Sequence, residues 1–184
     1  MKGETDTLQV FSYHDEVAVL ETAIHDFSKH NLKFVVAVSG VSACKTSNAK
    51  DRYNALAAQK HLAKHESDVV VPEFVNAFKN YTNKDMIKAA VIKSQAHAEN
   101  ILKITVPETE WLPKKAVSLG ALCATAFGAG FGGSVWALVP SETVDIGTFI
   151  NGWKTSYVKK FHHPSCFVFP TKPSHGAYIK AVKE

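Results

Sequence analysis

The run Gly128-Ala129-Gly130-Phe131-Gly132-Gly133 constrains this chain more than any other feature, because four of its six residues are glycine and apolar stretches adjoin it on both sides. Residues 121–127 (ALCATAF) precede it, 134–139 (SVWALV) follow it, and Pro140 closes the second stretch. Short apolar runs joined through glycines, which reach positive φ without a Cβ penalty, predict two antiparallel strands and a tight loop. The run spells GxGxxG, yet the residues after it read as strand and not helix, which excludes a dinucleotide-binding fingerprint. No Gly-Lys-Ser/Thr follows, which excludes a P-loop. Two readings stay open at this level: amides that approach a phosphate or a sugar, or glycines that only shape a hairpin.

Around this hairpin the apolar pattern alternates between strand and helix. Residues 8–13 (LQVFSY) and 34–38 (FVVAV) read as strands, with 166–169 (CFVF) as a last one. Residues 47–66 are rich in alanine, leucine and lysine without glycine or proline, which favours helix, and 73–81 add a short one. Asn83 is placed to cap a long amphipathic helix in which Met86, Ile87, Ala90, Val91, Ala98, Ile101 and Leu102 recur at helical spacing. Thr105-Val106-Pro107-Glu108 opens another, ending near Gly120, and 145–161 reads as helical despite Gly147 and Gly152. Strands mixed with helices, two of them close enough for a hairpin, predict an α+β fold over a doubly wound parallel sheet.

At 184 residues, 46% hydrophobic and 21% charged, the sequence suits one domain spanning 1–184, with no internal repeat. No apolar run approaches the roughly eighteen residues of a membrane span, and the polar start is unlike a signal peptide. The expectation is a cytoplasmic protein with no membrane contact. Cys44, Cys123 and Cys166 are an odd number without a Cys-x-x-Cys pair, so reduced thiols are expected, and no metal site. The net charge of +4 comes from scattered lysines without interleaved aromatics, which argues against nucleic acid and leaves small anions as the better partners.

The segment Leu119 to Val139, LGALCATAFGAGFGGSVWALV, resembles the third conserved motif of the galactokinase, homoserine kinase, mevalonate kinase and phosphomevalonate kinase (GHMP) superfamily, above all its galactokinase branch. Phe34 to Asn54, FVVAVSGVSACKTSNAKDRYN, is similar to the stretch of that branch in which a strand ends and a helix begins around a tyrosine, here Tyr53. Ser94, Gln95 and Glu99, then Val106-Pro107-Glu108-Thr109, then 167–177 match further elements in the family's order. The resemblance implies a carboxy-terminal half: an α+β two-layer sandwich, an antiparallel sheet with helices packed on it, closing over a cleft whose nucleotide is held mainly by the other half. It implies that Gly128, Ala129 and Gly130 lie against a sugar substrate, that Phe131, Gly132 and Gly133 support the loop, and that Tyr53 offers its hydroxyl to the sugar. Read without the family, Tyr53 is a helix-surface tyrosine packed on the sheet.

The sequence departs from the family at Phe127, where most members have threonine, and at Asn54-Ala55-Leu56-Ala57-Ala58, which replaces an arginine pair. The Arg and Gly-Glu-His-Thr-Asp signature, the phosphate loop ending in Ser-Ser and the Cys-Gly-x-x-Asp-Gln element of the catalytic aspartate do not occur in these residues. The expectation is therefore no catalytic residue in this chain and no activity by itself. ATP and Mg2+ are implied for a complete enzyme only, with an amino-terminal kinase half or self-association as the possible protein partner. The alternative is a non-catalytic sugar-binding or regulatory module of the same descent, and the remaining one an unrelated α+β domain with a glycine hairpin. Weaker signals take structural readings: His61 and His65 as surface histidines, His162-His163 as a solvated helix end, Cys44 as a packing residue.

Overall fold

The computed structural model describes residues 3–14, 17–42, 54, 60–79 and 83–176. Tyr53, Cys44, most of the expected 47–66 helix, residue 177 and the His61 side chain lie outside the described residues.

Six strands form two antiparallel sheets. Strands β1 (Leu8–His14) and β2 (Val17–Ile24) pair with each other, with a register shift between Val10 and Phe11. Strands β3 (Leu32–Val38), β4 (Cys123–Phe127), β5 (Ser134–Pro140) and β6 (Phe167–Thr171) form a sheet in the order β4-β5-β3-β6. The expected hairpin is β4–β5, with Phe127 opposite Ser134 at the mouth of the glycine loop. Pro170 is tolerated because β6 is an edge strand, where a missing N–H costs the ladder least. The expected α+β architecture, an antiparallel sheet with helices packed on it, is what the chain forms.

Alternation along the strands sends successive side chains to opposite faces. Val35, Ala37, Ala124, Val135, Ala137 and Val139 join one core with α4 (Pro107–Ser118) and α5 (Ile146–Phe161), through Leu112, Ala116, Phe149, Trp153 and Tyr157. Leu32, Cys123 and Leu138 join a second with α2 (Val71–Lys79) and α3 (Lys84–His97), through Ala77, Phe78, Ile87 and Val91. Helices thus cover both faces.

Local chemistry sets most helix ends. Asn83 accepts from the Met86 N–H at 3.3 Å, and Asp145 from that of Thr148 at 2.7 Å. Val106 has no side-chain oxygen to cap α4, and the bond made there is the reverse one, in which Thr109 Oγ1 accepts from the Val106 N–H at 3.0 Å. Helix α5 ends at His162 in the left-handed region, with Lys159 and Lys160 in its last turn, where the dipole favours cations.

Two differences from the sequence expectation have physical causes. The helices expected at 47–66 and 73–81 are one continuous run from residue 60 to 79: α1 (Lys60–His65), a π-helical turn (Glu66–Val70) and α2. Pro72 has no N–H to offer the carbonyl four residues back, and the widened turn lies just ahead of it. Helix α3 likewise ends in a π-helical turn, Ala98–Leu102, closed by Lys103 at φ 52. Strand β2 lies outside the strands expected from the sequence, although its VAVLETAI run is rich in β-branched residues. Among the described residues no helix is long and apolar enough to cross a membrane.

Candidate functional site

The glycine loop is tied down from two sides. The Phe131 N–H donates to the Ile104 carbonyl at 2.5 Å, beyond the end of α3, and the Gly133 N–H donates to the Val41 carbonyl at 3.0 Å, beyond the end of β3. Ser39 locks the second anchor: its N–H and its Oγ both donate to the Gly133 carbonyl, at 3.0 and 2.6 Å, and its Oγ accepts from the Val41 N–H. The Ser39 carbonyl in turn accepts from the Tyr157 hydroxyl at 2.7 Å, which connects the loop to α5.

Close approach explains two of the glycines and not the others. A Cβ on Gly130 would stand 2.6 Å from Ile104, and one on Gly132 2.7 Å from the Val41 carbonyl oxygen. Gly128 and Gly133 have open space where a Cβ would sit, and their positive φ values of 94° and 86° are what require glycine. Phe131 itself sits at φ 60. Gly128 and Ala129 are exposed, Gly132 buried, and Gly130, Phe131 and Gly133 half-buried.

Beside Gly128 lies a cavity of about 350 Å³. Its walls come from the end of β4 (Thr125, Ala126, Phe127), Trp136 on β5, Ser94 and His97 on α3, Glu66 of the first π-turn, and Ala98, Leu102 and Ile104 from the second π-turn and its exit. A neighbouring apolar cavity of about 140 Å³, lined by Val70, Val71, Phe74, Ala90 and Val91, shares Glu66, Ser94, Thr125 and Trp136 with it.

His97 is the unusual group in this wall. It is 8% exposed, and its Nδ1 is buried without a hydrogen-bond partner among the described residues. Its ring packs on that of His65 at 4.7 Å. Burial, with His65 adding to it and Glu66 opposing, holds His97 below the ordinary imidazole range. Nearby, the Ser94 hydroxyl donates to Glu66 Oε1 at 2.6 Å.

Gln95, one of the residues singled out in sequence, is structural. Its Nε2 donates to Glu99 at 2.8 Å and to the Thr109 carbonyl at 3.2 Å, and its Oε1 accepts from Thr125 Oγ1 at 3.0 Å and the Ala126 N–H at 2.8 Å. The Ser-Gln-x-x-x-Glu pattern thus fastens α3 to α4 and to the strand that leads into the glycine loop. Cys123 and Cys166 are buried free thiols, and burial pushes Cys123 up to about 12. Among the described residues no three His, Cys, Asp or Glu side chains are grouped to hold a metal. Sequence reasoning missed His97 and Glu66, whose juxtaposition depends on packing α3 against the first π-turn and leaves no local signal.

Neither a family model nor a curated relative matches this chain by sequence. Solved structures do match by fold. Lactococcus lactis galactokinase complexed with galactose superposes with a TM-score of 0.71 at 15% identity, covering 95% of this chain and 53% of that one. L. major mevalonate kinase in complex with R-mevalonate gives 0.60 at 15% identity over 91% of this chain and 50% of that one. Methanococcus jannaschii mevalonate kinase gives 0.55 at 19% identity over 85% and 45%. The chain therefore shares a fold with these kinases and spans about half the length of the structures it matches.

Proposed function

We propose that this chain is the carboxy-terminal, sugar-facing half of a galactokinase-like kinase, which in the complete enzyme transfers a phosphoryl group from ATP to galactose or a related sugar. The reading rests on a glycine loop resembling the family's third motif, braced on Ile104 and Val41 while Gly128 opens onto a cavity. The high fold similarity to a galactose-bound galactokinase supports it.

Phosphoryl transfer is accelerated mainly by positioning and charge stabilisation. This chain's part is positioning. Gly128, Ala129 and Gly130 present backbone to the substrate, Phe131, Gly132 and Gly133 hold that backbone rigid, and Tyr53 offers a hydroxyl to the sugar. Following the family resemblance, ATP and Mg2+ belong to the complete enzyme, with the nucleotide held mainly by its amino-terminal half.

The test is ATP-dependent phosphorylation of galactose, mevalonate and homoserine by the complete gene product and by this chain alone. We expect galactose or a related sugar to be phosphorylated by the complete product and nothing by the chain alone. Turnover of mevalonate or homoserine in place of a sugar would refute the galactokinase assignment and leave the fold intact. Sugar binding without turnover in any form would favour a non-catalytic sugar-binding module, a reading to which the sugar-sized cavity also lends itself.

A further inference from the structure

The glycine loop leaves the sheet at an irregular place in the β3–β5 ladder. In an antiparallel pair, two residues that face each other at a hydrogen-bonded site exchange both N–H···O=C bonds. Strands β3 and β5 keep register up to Val38 opposite Ser134, which makes Ser39 and Gly133 the next pair. Only half of their exchange is made. The Ser39 N–H donates to the Gly133 carbonyl at 3.0 Å, but the Gly133 N–H donates to the Val41 carbonyl, two residues further along, also at 3.0 Å. The Ser39 carbonyl, its regular acceptor, takes the Tyr157 hydroxyl at 2.7 Å instead.

The competing donor is firmly held. Tyr157 is fully buried, with its ring packed on Phe161 at 5.1 Å and Trp111 at 6.2 Å, so its hydroxyl meets Ser39 on a ring with little freedom. Burial pushes its pKa up, with Glu108 and Cys166 adding to the shift, and the oxygen keeps the proton it donates. The shifted arrangement also satisfies the groups that the ladder releases. Ser39 Oγ donates to the Gly133 carbonyl at 2.6 Å and accepts from the Val41 N–H at 3.1 Å. Gly40, at φ +80, makes the turn that brings Val41 to Gly133, and it has no room for a Cβ, which would stand 2.5 Å from Ser165 Oγ.

We propose that Tyr157 is a positioning residue for the glycine loop: its hydroxyl draws the Ser39 carbonyl out of the ladder, and the switch of Gly133 from Ser39 to Val41 turns the loop out of the sheet. That Tyr157 places the loop follows from these bonds; that the placed loop serves a substrate rests on the kinase reading above. Without the hydroxyl, the buried Ser39 carbonyl needs another donor, and the nearest in the ladder is the Gly133 N–H. The loop then falls back toward a regular hairpin, and the backbone of Gly128–Gly130 shifts with it.

The experiment compares this chain with Tyr157→Phe, which removes one oxygen and keeps the ring. Phe149→Leu is the control, because it cuts into the core contacts of the same helix and leaves the Ser39 bond intact. Scalar couplings across hydrogen bonds, read by NMR in 15N,13C-labelled protein, identify the acceptor of the Gly133 N–H. We expect a Gly133–Val41 coupling in the parent and in Phe149→Leu, and its replacement by a Gly133–Ser39 coupling in Tyr157→Phe. A Val41 coupling that survives in Tyr157→Phe overturns the proposal, since Gly40 and Gly132 then set the turn without α5. Equal loss in Phe149→Leu also overturns it, as a general loosening of the core. In the complete gene product, Tyr157→Phe should lower kcat/KM for D-galactose at least ~10-fold and Phe149→Leu less than ~3-fold. Unchanged turnover with the Val41 bond gone overturns the positioning role and leaves the kinase standing. No galactose turnover in any form refutes the kinase reading; the couplings need no substrate, and they alone then decide whether Tyr157 sets the loop.

Discussion

The two faces of the four-stranded sheet follow different rules. On the face covered by α4 and α5, Val35, Ala37, Leu112, Val135, Ala137, Trp153 and Tyr157 are fully buried, and the polar tips find partners: Trp153 Nε1 donates to the Leu112 carbonyl at 3.1 Å and Tyr157 to Ser39. On the face covered by α2 and α3 the packing opens into two cavities, an imidazole nitrogen is left unpartnered, and two helices widen into π-turns. A well-packed face supplies stability, and the looser one has room for a ligand. The glycine loop lies where they meet, bonded to Val41 on one side and Ile104 on the other.

Substitutions should separate the faces by sign as well as size. Trp153→Ala removes a fully buried indole and its hydrogen bond; denaturant unfolding should register a loss of about 3–5 kcal/mol. At the junction, Gly132→Ala must carry a Cβ 2.7 Å from the Val41 oxygen at φ +134 and should cost about 3 kcal/mol, whereas Gly133→Ala, strained in φ but unobstructed, should cost about 1 kcal/mol. Equal costs for the two would mean that close approach is not what holds the loop. On the looser face, His97→Phe should raise stability by about 1 kcal/mol, because it removes an unsatisfied buried nitrogen and keeps the ring packing. A loss comparable to that of Trp153→Ala would erase the contrast between the faces.

The smallest effect is on pH dependence. Burial lowers the pKa of both His97 and His30 from 6.5, so below that value the unfolded chain binds protons that the folded one refuses. Their contribution is fully present above pH 6.5 and declines as pH falls through the folded pKa values. Urea midpoints should drop between about pH 7.5 and about pH 5.5, less steeply in His97→Phe. A midpoint that rises on acidification would contradict the burial of these rings.

What the sequence made legible follows the range of each interaction. The β4–β5 hairpin, the Asn83 cap and the termination of α5 at His162 are set by neighbours in the chain, and all were readable. The glycine run was readable as a hairpin, but not which glycines are crowded, since Ile104 and Val41 approach from far away in sequence. Gln95 stood out by its motif, yet its role as a four-bond hub needed Thr109 and Thr125 in place. The His65–His97 stack and the carboxylate of Glu66 depend on two π-turns that no apolar period announces. Strand β2 lies outside the expected strands even though Val17, Val19, Thr22 and Ile24 are β-branched; its pairing with β1 and the bulge needed the structure.

The proposed function sets a sugar against the glycine loop, and backbone amide hydrogen exchange with and without D-galactose tests it most directly. The account predicts slowed exchange at Gly128–Gly133, with α5 and β6 unchanged. Slowing confined to α5 and β6, or no change anywhere at saturating galactose, would contradict it.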